Sequence, residues 1–160
     1  MNDSDVIIYT DGSSRGNPGP GGYGIVMEHC KSGYVKEYSK GFKLTTNNRM
    51  ELLAVIEALK KLKQTNLKII VYTDSKYVVD SVEKKWLFKW EKVNFKNKKN
   101  VDLWLEFLKV QELNNISFKW IKGHNNHPQN EICDKLAFKA SENKPLLVDK
   151  GYETNLNKLL

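Results

Sequence analysis

The chain has 160 residues, 40% of them hydrophobic and 28% charged, which suits one domain with its own buried core and leaves no room for a second. No apolar run approaches the roughly 20 residues that span a bilayer, and the polar start MNDSD lacks the basic and apolar regions of a signal peptide, so a cytoplasmic monomer with no membrane association is expected. The net charge of +7 is concentrated: Lys84 to Lys99 holds seven lysines against one acid, Glu91, while the rest of the chain carries 19 basic and 18 acidic residues.

Val6 to Thr10 is a short apolar run bounded by turn residues and reads as a fully buried strand. Gly22 to Glu28 and Tyr34 to Gly41 read as two more strands, joined around CKSG, so that the first third forms an antiparallel meander. The period then changes. In TTNNRMELLAVIEALKKLK, Thr46 or Asn47 can cap a helix whose apolar stripe is Leu52, Val55, Ile56, Leu59 and Leu62. Leu67 to Thr73 is a second buried strand, completing a parallel βαβ crossover. SKYVVDSVEKKWLFKWEKV is helical in two pieces with Ser75 as a cap, NFKNKKN is a loop, VDLWLEFLKVQEL is another helix, and Ile116 to Ile121 is a strand. Pro128 opens a last helix with Cys133, Leu136, Ala137 and Ala140 in its core stripe. The pattern fades after Pro145, and residues 145–160 are expected to be loosely held. Cys30 and Cys133, without CxxC spacing, read as small buried apolar residues rather than disulfide or zinc ligands.

The tripeptide Tyr-Thr-Asp closes two of the apolar runs, at Asp11 and at Asp74. Ligands of open α/β sheets gather at the carboxyl ends of strands, and residues two apart share a face; parallel pairing therefore points both carboxylates to one side. Glu51 lies in the first turn of its helix, in a row with Val55, Ala58 and Leu62 that faces the core; the alternative is a capping role three or four residues after Asn47 or Thr46. Asp134 lies beside the stripe of the last helix. Three or four carboxylates in one crevice repel one another unless divalent cations sit among them. Oxygen-only ligands suit Mg²⁺ or Mn²⁺, and a pair of such ions about 3.5–4 Å apart is a phosphoryl-transfer device.

His124 and His127 precede Asp134 on a Gly/Asn-rich connection. With Cys133 they would form a zinc site lacking a fourth ligand; alternatively His124 carries protons beside a metal centre and His127 caps or turns. The glycine-rich GSSRGNPGPGG lacks the Gly-Lys-Ser/Thr of a P-loop and leads into a strand. It reverses the chain, and it can bring Asn17 and backbone amides to a sugar or phosphate. The lysine-rich segment is either a solvated face or a phosphate-backbone contact. Trp86 and Trp90, one helical turn apart within it, either stack on bases or fix a helix against its neighbour.

Taken in order, YTDGSSRGNPGPGGYG, TTNNRMEL, YTDSKYV, KNVDLW and WIKGHNNHPQNEICDKLA resemble the successive motifs of bacterial type 1 ribonuclease H, over roughly residues 5 to 153. The resemblance implies a mixed five-stranded sheet, three antiparallel strands then two parallel, flanked by helices on both faces. It also implies sequence-independent hydrolysis of the RNA strand of an RNA/DNA hybrid, leaving 5′-phosphate and 3′-hydroxyl ends. By the same resemblance Asp11 bridges two Mg²⁺ ions, Asp134 completes the site of the ion that activates the attacking water, and Glu51 and Asp74 hold the ion facing the leaving 3′-oxygen. His124 matches a flexible histidine of proton transfer or product release. Asn17 matches a position that senses ribose 2′-hydroxyls, Thr46 and Asn100 a pocket for a phosphate of the DNA strand, and Asn47 a contact to base edges in the minor groove. Residues 84–99, with Lys84, Lys85, Trp86 and Lys89, resemble a basic protrusion that grips the DNA strand. Three positions depart from the pattern: Lys76 replaces the usual glutamine, Leu44 an expected arginine, and the loop after Phe95 is short.

Overall fold

Pairing along β1 (Val6–Ser14) organises the molecule, because this strand has an antiparallel neighbour on one side and a parallel one on the other. The computed structural model describes residues 3–123 and 127–158. β2 (Gly19–His29) and β3 (Tyr34–Thr45) continue antiparallel from β1, and β4 (Lys68–Thr73) and β5 (Asn115–Trp120) add in parallel, giving the order β3-β2-β1-β4-β5. The expected three antiparallel and two parallel strands are therefore present.

The meander strands are longer than their apolar runs. β2 begins at Gly19 rather than Gly22, and β3 continues past Gly41 to Thr45, because Gly19 still faces Thr45 and Phe42 bridges to Leu147. β1 likewise does not end at Thr10. It runs through Asp11 to Ser14, where Ser14 faces Gly21. The glycine-rich segment is thus largely strand, with only Arg15 to Pro18 left as the turn.

Helix α1 (Asn47–Lys60) is capped by Thr46, whose hydroxyl accepts from the Arg49 amide at 3.3 Å. It buries Leu52, Val55, Ile56 and Leu59 against Ile8, Ile25 and Val71 of the sheet, each such side chain stabilising the fold by about 1.5–3 kcal/mol. α2 (Lys76–Glu83) is capped by Ser75 and is followed by α3 (Trp86–Lys92) and α4 (Val101–Gln111). α4 joins the same core through Leu103, Trp104 and Phe107, with the Trp104 indole donating to the Tyr77 hydroxyl at 2.8 Å. α5 (Pro128–Glu142) covers the other face with a smaller cluster of Tyr9, Val26 and Cys133. His127 caps α5, its ring accepting from the Asn130 amide at 3.3 Å.

The loop NFKNKKN holds Asn94, Phe95, Asn97 and Asn100 at positive φ. Asparagine tolerates this region; Phe95 is held there by its buried ring and by the hydrogen bond its amide donates to the Trp90 carbonyl.

Two expectations about the chain's periphery change. The tail is not loose after Pro145: Leu147 exchanges backbone hydrogen bonds with Gly41 and Lys43, and α6 (Lys150–Asn157) follows, capped by Asp149. α5 is therefore not the last helix. Buried Asp149 takes two hydrogen bonds from the Arg49 guanidinium, at 2.8 and 3.0 Å, which ties the tail to α1. Of the two cysteines, Cys133 is buried as expected, but Cys30 lies in the β2–β3 turn and is only half-buried.

Candidate active site

In the parallel seam Tyr9 faces Tyr72, so two residues further on each chain Asp11 lies level with Asp74. The tyrosine rings stack at 5.3 Å with a 15° interplanar angle, showing that these positions share the α5 face. Asp11 is not at a strand end, since β1 stays paired with β2 there (Asp11 opposite Gly24); what ends is its parallel partner β4, at Thr73. The carboxylate therefore emerges from continuous β1 where the neighbouring strand stops, which is a stiffer mount than a loop.

Glu51 reaches the same point from α1. Its carboxyl accepts from the Gly12 amide at 3.1 Å and from the Thr73 hydroxyl at 3.3 Å, so it spans from β1 to β4 and is not a helix cap. This requires α1 to lie directly on β1. A Cβ at position 12 would collide with the Met50 carbonyl carbon and the Glu51 amide, so glycine is needed for the close approach.

Ligand oxygens of Asp11, Glu51 and Asp74 all lie within 4.8 Å of one another. Asp11 is 6% and Glu51 7% exposed. Burial pushes the Asp11 carboxyl up to about 7; the charges of Asp74 and Asp134 push the same way, while hydrogen bonds from Glu51 and the Gly12 amide oppose them. Burial and the Asp11 charge likewise raise Glu51 well above the ordinary carboxylate range. Asp134, half-buried on α5, stands outside the close group of three yet near enough for its charge to act on Asp11. Such a set of hard oxygen donors, strained by mutual repulsion, fits divalent cations and not a thiolate-loving metal.

His124 lies outside the described residues. The chain leading to it passes the site, because Gly123 backs onto the Asp74 carboxylate and the Trp120 indole donates to the Asp74 carbonyl at 3.0 Å. His127 packs its ring against Tyr9 and Tyr72 at 5.4 and 6.0 Å. With its ring nitrogen given to the α5 cap, it serves that helix rather than a zinc site with Cys133, whose thiol donates to the Tyr9 carbonyl.

Of the residues expected to meet substrate, Asn17, Asn47, Thr46 and Asn100 gather around the start of α1, whereas Lys84, Lys85, Trp86 and Lys89 lie apart at α3. Asn17 accepts from the Asn47 amide at 2.9 Å, and Asn47 accepts from the Ser14 amide at 2.6 Å, which fastens the β1–β2 turn to the start of α1. Thr46 and Asn100 line one cleft, although the Thr46 hydroxyl is engaged as the α1 cap. Asn100 donates to the Tyr77 hydroxyl at 3.1 Å and accepts from Arg49 at 3.4 Å. Lys84 and Lys85, between α2 and α3, and Lys89 on α3 are exposed. The two tryptophans divide: Trp90 packs edge-on to Trp104, whereas Trp86 is 40% exposed with the Lys84 ammonium 5.2 Å over its ring. Of the two alternatives, packing describes Trp90. Lys76, at a departing position, sets its ammonium 4.8 Å over the Trp120 ring.

Three positioning residues escaped the sequence reading: Arg49, Asp102 and Asp149. Arg49 is 3% exposed and is held bidentate by Asp102, at 2.8 and 2.7 Å, as well as by Asp149. The available signal was an arginine in the first turn of a helix that otherwise buries that row, and an acid closing the apolar run LLVD.

The RNase H family profile matches residues 3–142. The chain is 49% identical over 153 residues to ribonuclease HI of Shewanella oneidensis, covering 92% of this chain and 94% of that protein. Among solved structures it resembles LC9-RNase H1, a type 1 RNase H with the type 2 active-site motif, at 32% identity and a TM-score of 0.78, over 96% of this chain and 81% of that one. It also resembles LC11-RNase H1 in complex with RNA/DNA hybrid, at 28% identity and a TM-score of 0.69, over 86% of this chain and 96% of that one. This chain, with its β3-β2-β1-β4-β5 sheet and acidic cluster and matched along nearly its whole length, belongs to the RNase H family of nuclease hydrolases.

Proposed function

We propose that this protein cleaves the RNA strand of RNA/DNA hybrids internally, leaving 5′-phosphate and 3′-hydroxyl ends, with two divalent ions held by Asp11, Glu51, Asp74 and Asp134. The observation that carries the reading is the convergence of Asp11, Glu51 and Asp74 within 4.8 Å in a chain of this family. Bound there, Mg²⁺, or Mn²⁺ in its place, neutralises charge on the attacking and leaving oxygens of the phosphodiester.

The protein's own groups do the rest. Asp11 would be the ligand the two ions share. Asp134, half-buried on α5, would complete the ligand set. His124 serves proton transfer or product departure. Asn17 and the amides of its turn recognise ribose 2′-hydroxyls, the feature that separates RNA from DNA, and Asn47 touches base edges. Thr46 and Asn100 receive a phosphate of the DNA strand, while Lys84, Lys85, Lys89 and Trp86 hold its backbone. Contacts to sugar and phosphate position a duplex without reading it, so cleavage is largely independent of sequence. The protein acts as a monomer in the cytoplasm.

The test is cleavage of end-labelled RNA/DNA hybrid, all-DNA duplex and single-stranded RNA, with Mg²⁺ and Mn²⁺ titrated separately and product ends identified by their response to phosphatase. Hybrid-specific, metal-dependent cutting with phosphatase-sensitive 5′ ends is expected. Binding without cutting, or equal cutting of all-DNA duplex, overturns the reading.

A further inference from the structure

A cleft of about 950 Å³ is bounded by the start of α1, the end of the α3–α4 loop and α6. Four lysines line it: Lys98 and Lys99 from the loop, Lys150 from the start of α6 and Lys158 from its C-terminal cap. All four are exposed, and among the described residues none of them is in an ion pair. The guanidinium in the cleft wall is different. Arg49 is already neutralised by Asp102 and Asp149, so the positive potential of the cleft comes from the lysines.

α6 is built onto this wall. Its cap Asp149 is one of the Arg49 partners, and at Gly151 a Cβ would collide with the Asp102 carboxylate and come within 2.7 Å of Arg49, so the helix seats on the ion-pair network through a residue without a side chain. The Lys98 ammonium rests 5.0 Å over the Trp90 ring, which orders its stem. Several spread, unpaired ammonium groups suit a polyanion better than a single phosphate. The same helix that opens the cleft at Thr46 carries Glu51 five residues later, about 7.5 Å along its axis, so one duplex faces the cleft and the carboxylates together.

We propose that α6 is a phosphate-binding element, in which Lys150 and Lys158 join Lys98 and Lys99 in holding the backbone of the uncut DNA strand. The inference rests on the reading of the chain as a hybrid nuclease. The lysines share their cleft with Thr46 and Asn100, so the strand they hold is the one those two residues receive, met through its phosphates.

The experiment measures equilibrium binding of an RNA/DNA hybrid without divalent ions, across a series of salt concentrations. It compares the wild type, K150A/K158A, and K31A/K63A as a control of equal net charge on exposed lysines elsewhere. K150A/K158A is expected to lower the slope of log Kobs against log salt by about 1.8, close to 0.9 per lost phosphate contact, and K31A/K63A to leave it unchanged. Methylphosphonates placed along the DNA strand should weaken the wild type at one patch and leave K150A/K158A indifferent there. Should the alanine pair fail to fold, K150Q/K158Q keeps the stems and loses the charge. An unchanged slope in a protein that still binds and cuts hybrids overturns this proposal alone, as does a methylphosphonate patch found on the RNA strand. A wild type that neither binds nor cuts hybrids overturns the functional reading as well.

Discussion

The Gly12 amide donates both to its neighbour Asp11, at 2.9 Å, and to Glu51 of α1, at 3.1 Å, so a single backbone group joins the two buried carboxylates. The bond exists only because α1 lies against β1 at a position with no side chain. Gly12→Ala is expected to push α1 away, destabilise the fold by about 1–3 kcal/mol as overpacking does, and lower hybrid cleavage on the order of 100-fold through misplacement of Glu51. Urea unfolding and single-turnover rates on the same preparation check both. Wild-type rates in the variant would show that Glu51 need not be fixed by this contact.

Removing charge from the cluster should stabilise the metal-free protein. The Asp11 carboxyl, raised from 3.8 to about 7 in the folded state, contributes stability that is fully present below its unfolded value and is lost as pH rises through about 7. Metal-free wild type should therefore lose melting temperature between mildly acidic and mildly alkaline pH. Asp11→Asn should lose less and melt higher than wild type on the alkaline side, while ceasing to cleave. Added Mg²⁺ should raise the wild-type melting temperature and leave that of Asp11→Asn nearly unchanged. Thermal scans with and without the ion measure all of these, and identical pH profiles for the two proteins would contradict the account of a carboxylate destabilised by burial and neighbouring charge.

The Arg49 network has the opposite pH signature. Burial alone would raise the Asp102 carboxyl, but the hydrogen bonds and charge of Arg49 outweigh it and leave it below 3.8. A lowered folded value means that stability is present above the unfolded value and lost as pH falls through the folded one. The stability difference between wild type and Asp102→Asn should thus be steady at neutral pH and shrink as the pH falls below 3.8. Asp149→Ala, which removes the buried partner, should cost about 3 kcal/mol and free α6, visible as lost amide-exchange protection over residues 150–157. Retained protection there would mean that α6 is held by other contacts.

The two tryptophans of the basic segment should separate cleanly. Trp90→Ala opens a hole against Trp104 and is expected to cost about 3 kcal/mol, whereas exposed Trp86→Ala should leave the melting temperature unchanged. Replacing Lys84, Lys85 and Lys89 by alanine should reduce the salt slope of hybrid binding by about 2.7. An unaltered slope would return these lysines to the status of a solvated face.

The identity of β1 to β5 and of α1 to α5, the βαβ crossover, the caps at Thr46 and Ser75 and the carboxylates Asp11, Glu51 and Asp74 were legible in the sequence, because each is a local matter of period, cap chemistry or a charge placed in an apolar row. Even the facing of Asp11 and Asp74 could be reasoned from strands that pair in parallel. The true ends of β1, β2 and β3 were not, since glycine-rich pairing is set by the neighbouring strand and not by an apolar pattern. What only the tertiary structure decided were relationships between distant residues: the Gly12 amide shared with Glu51, the four-residue turn pinned by Asn17 and Asn47, and the seating of α6 through Asp149 on Arg49, a hundred positions away. A weakly periodic tail becomes helix there because one buried ion-pair network meets it, and that meeting is a property of the folded chain in three dimensions rather than of any stretch of it.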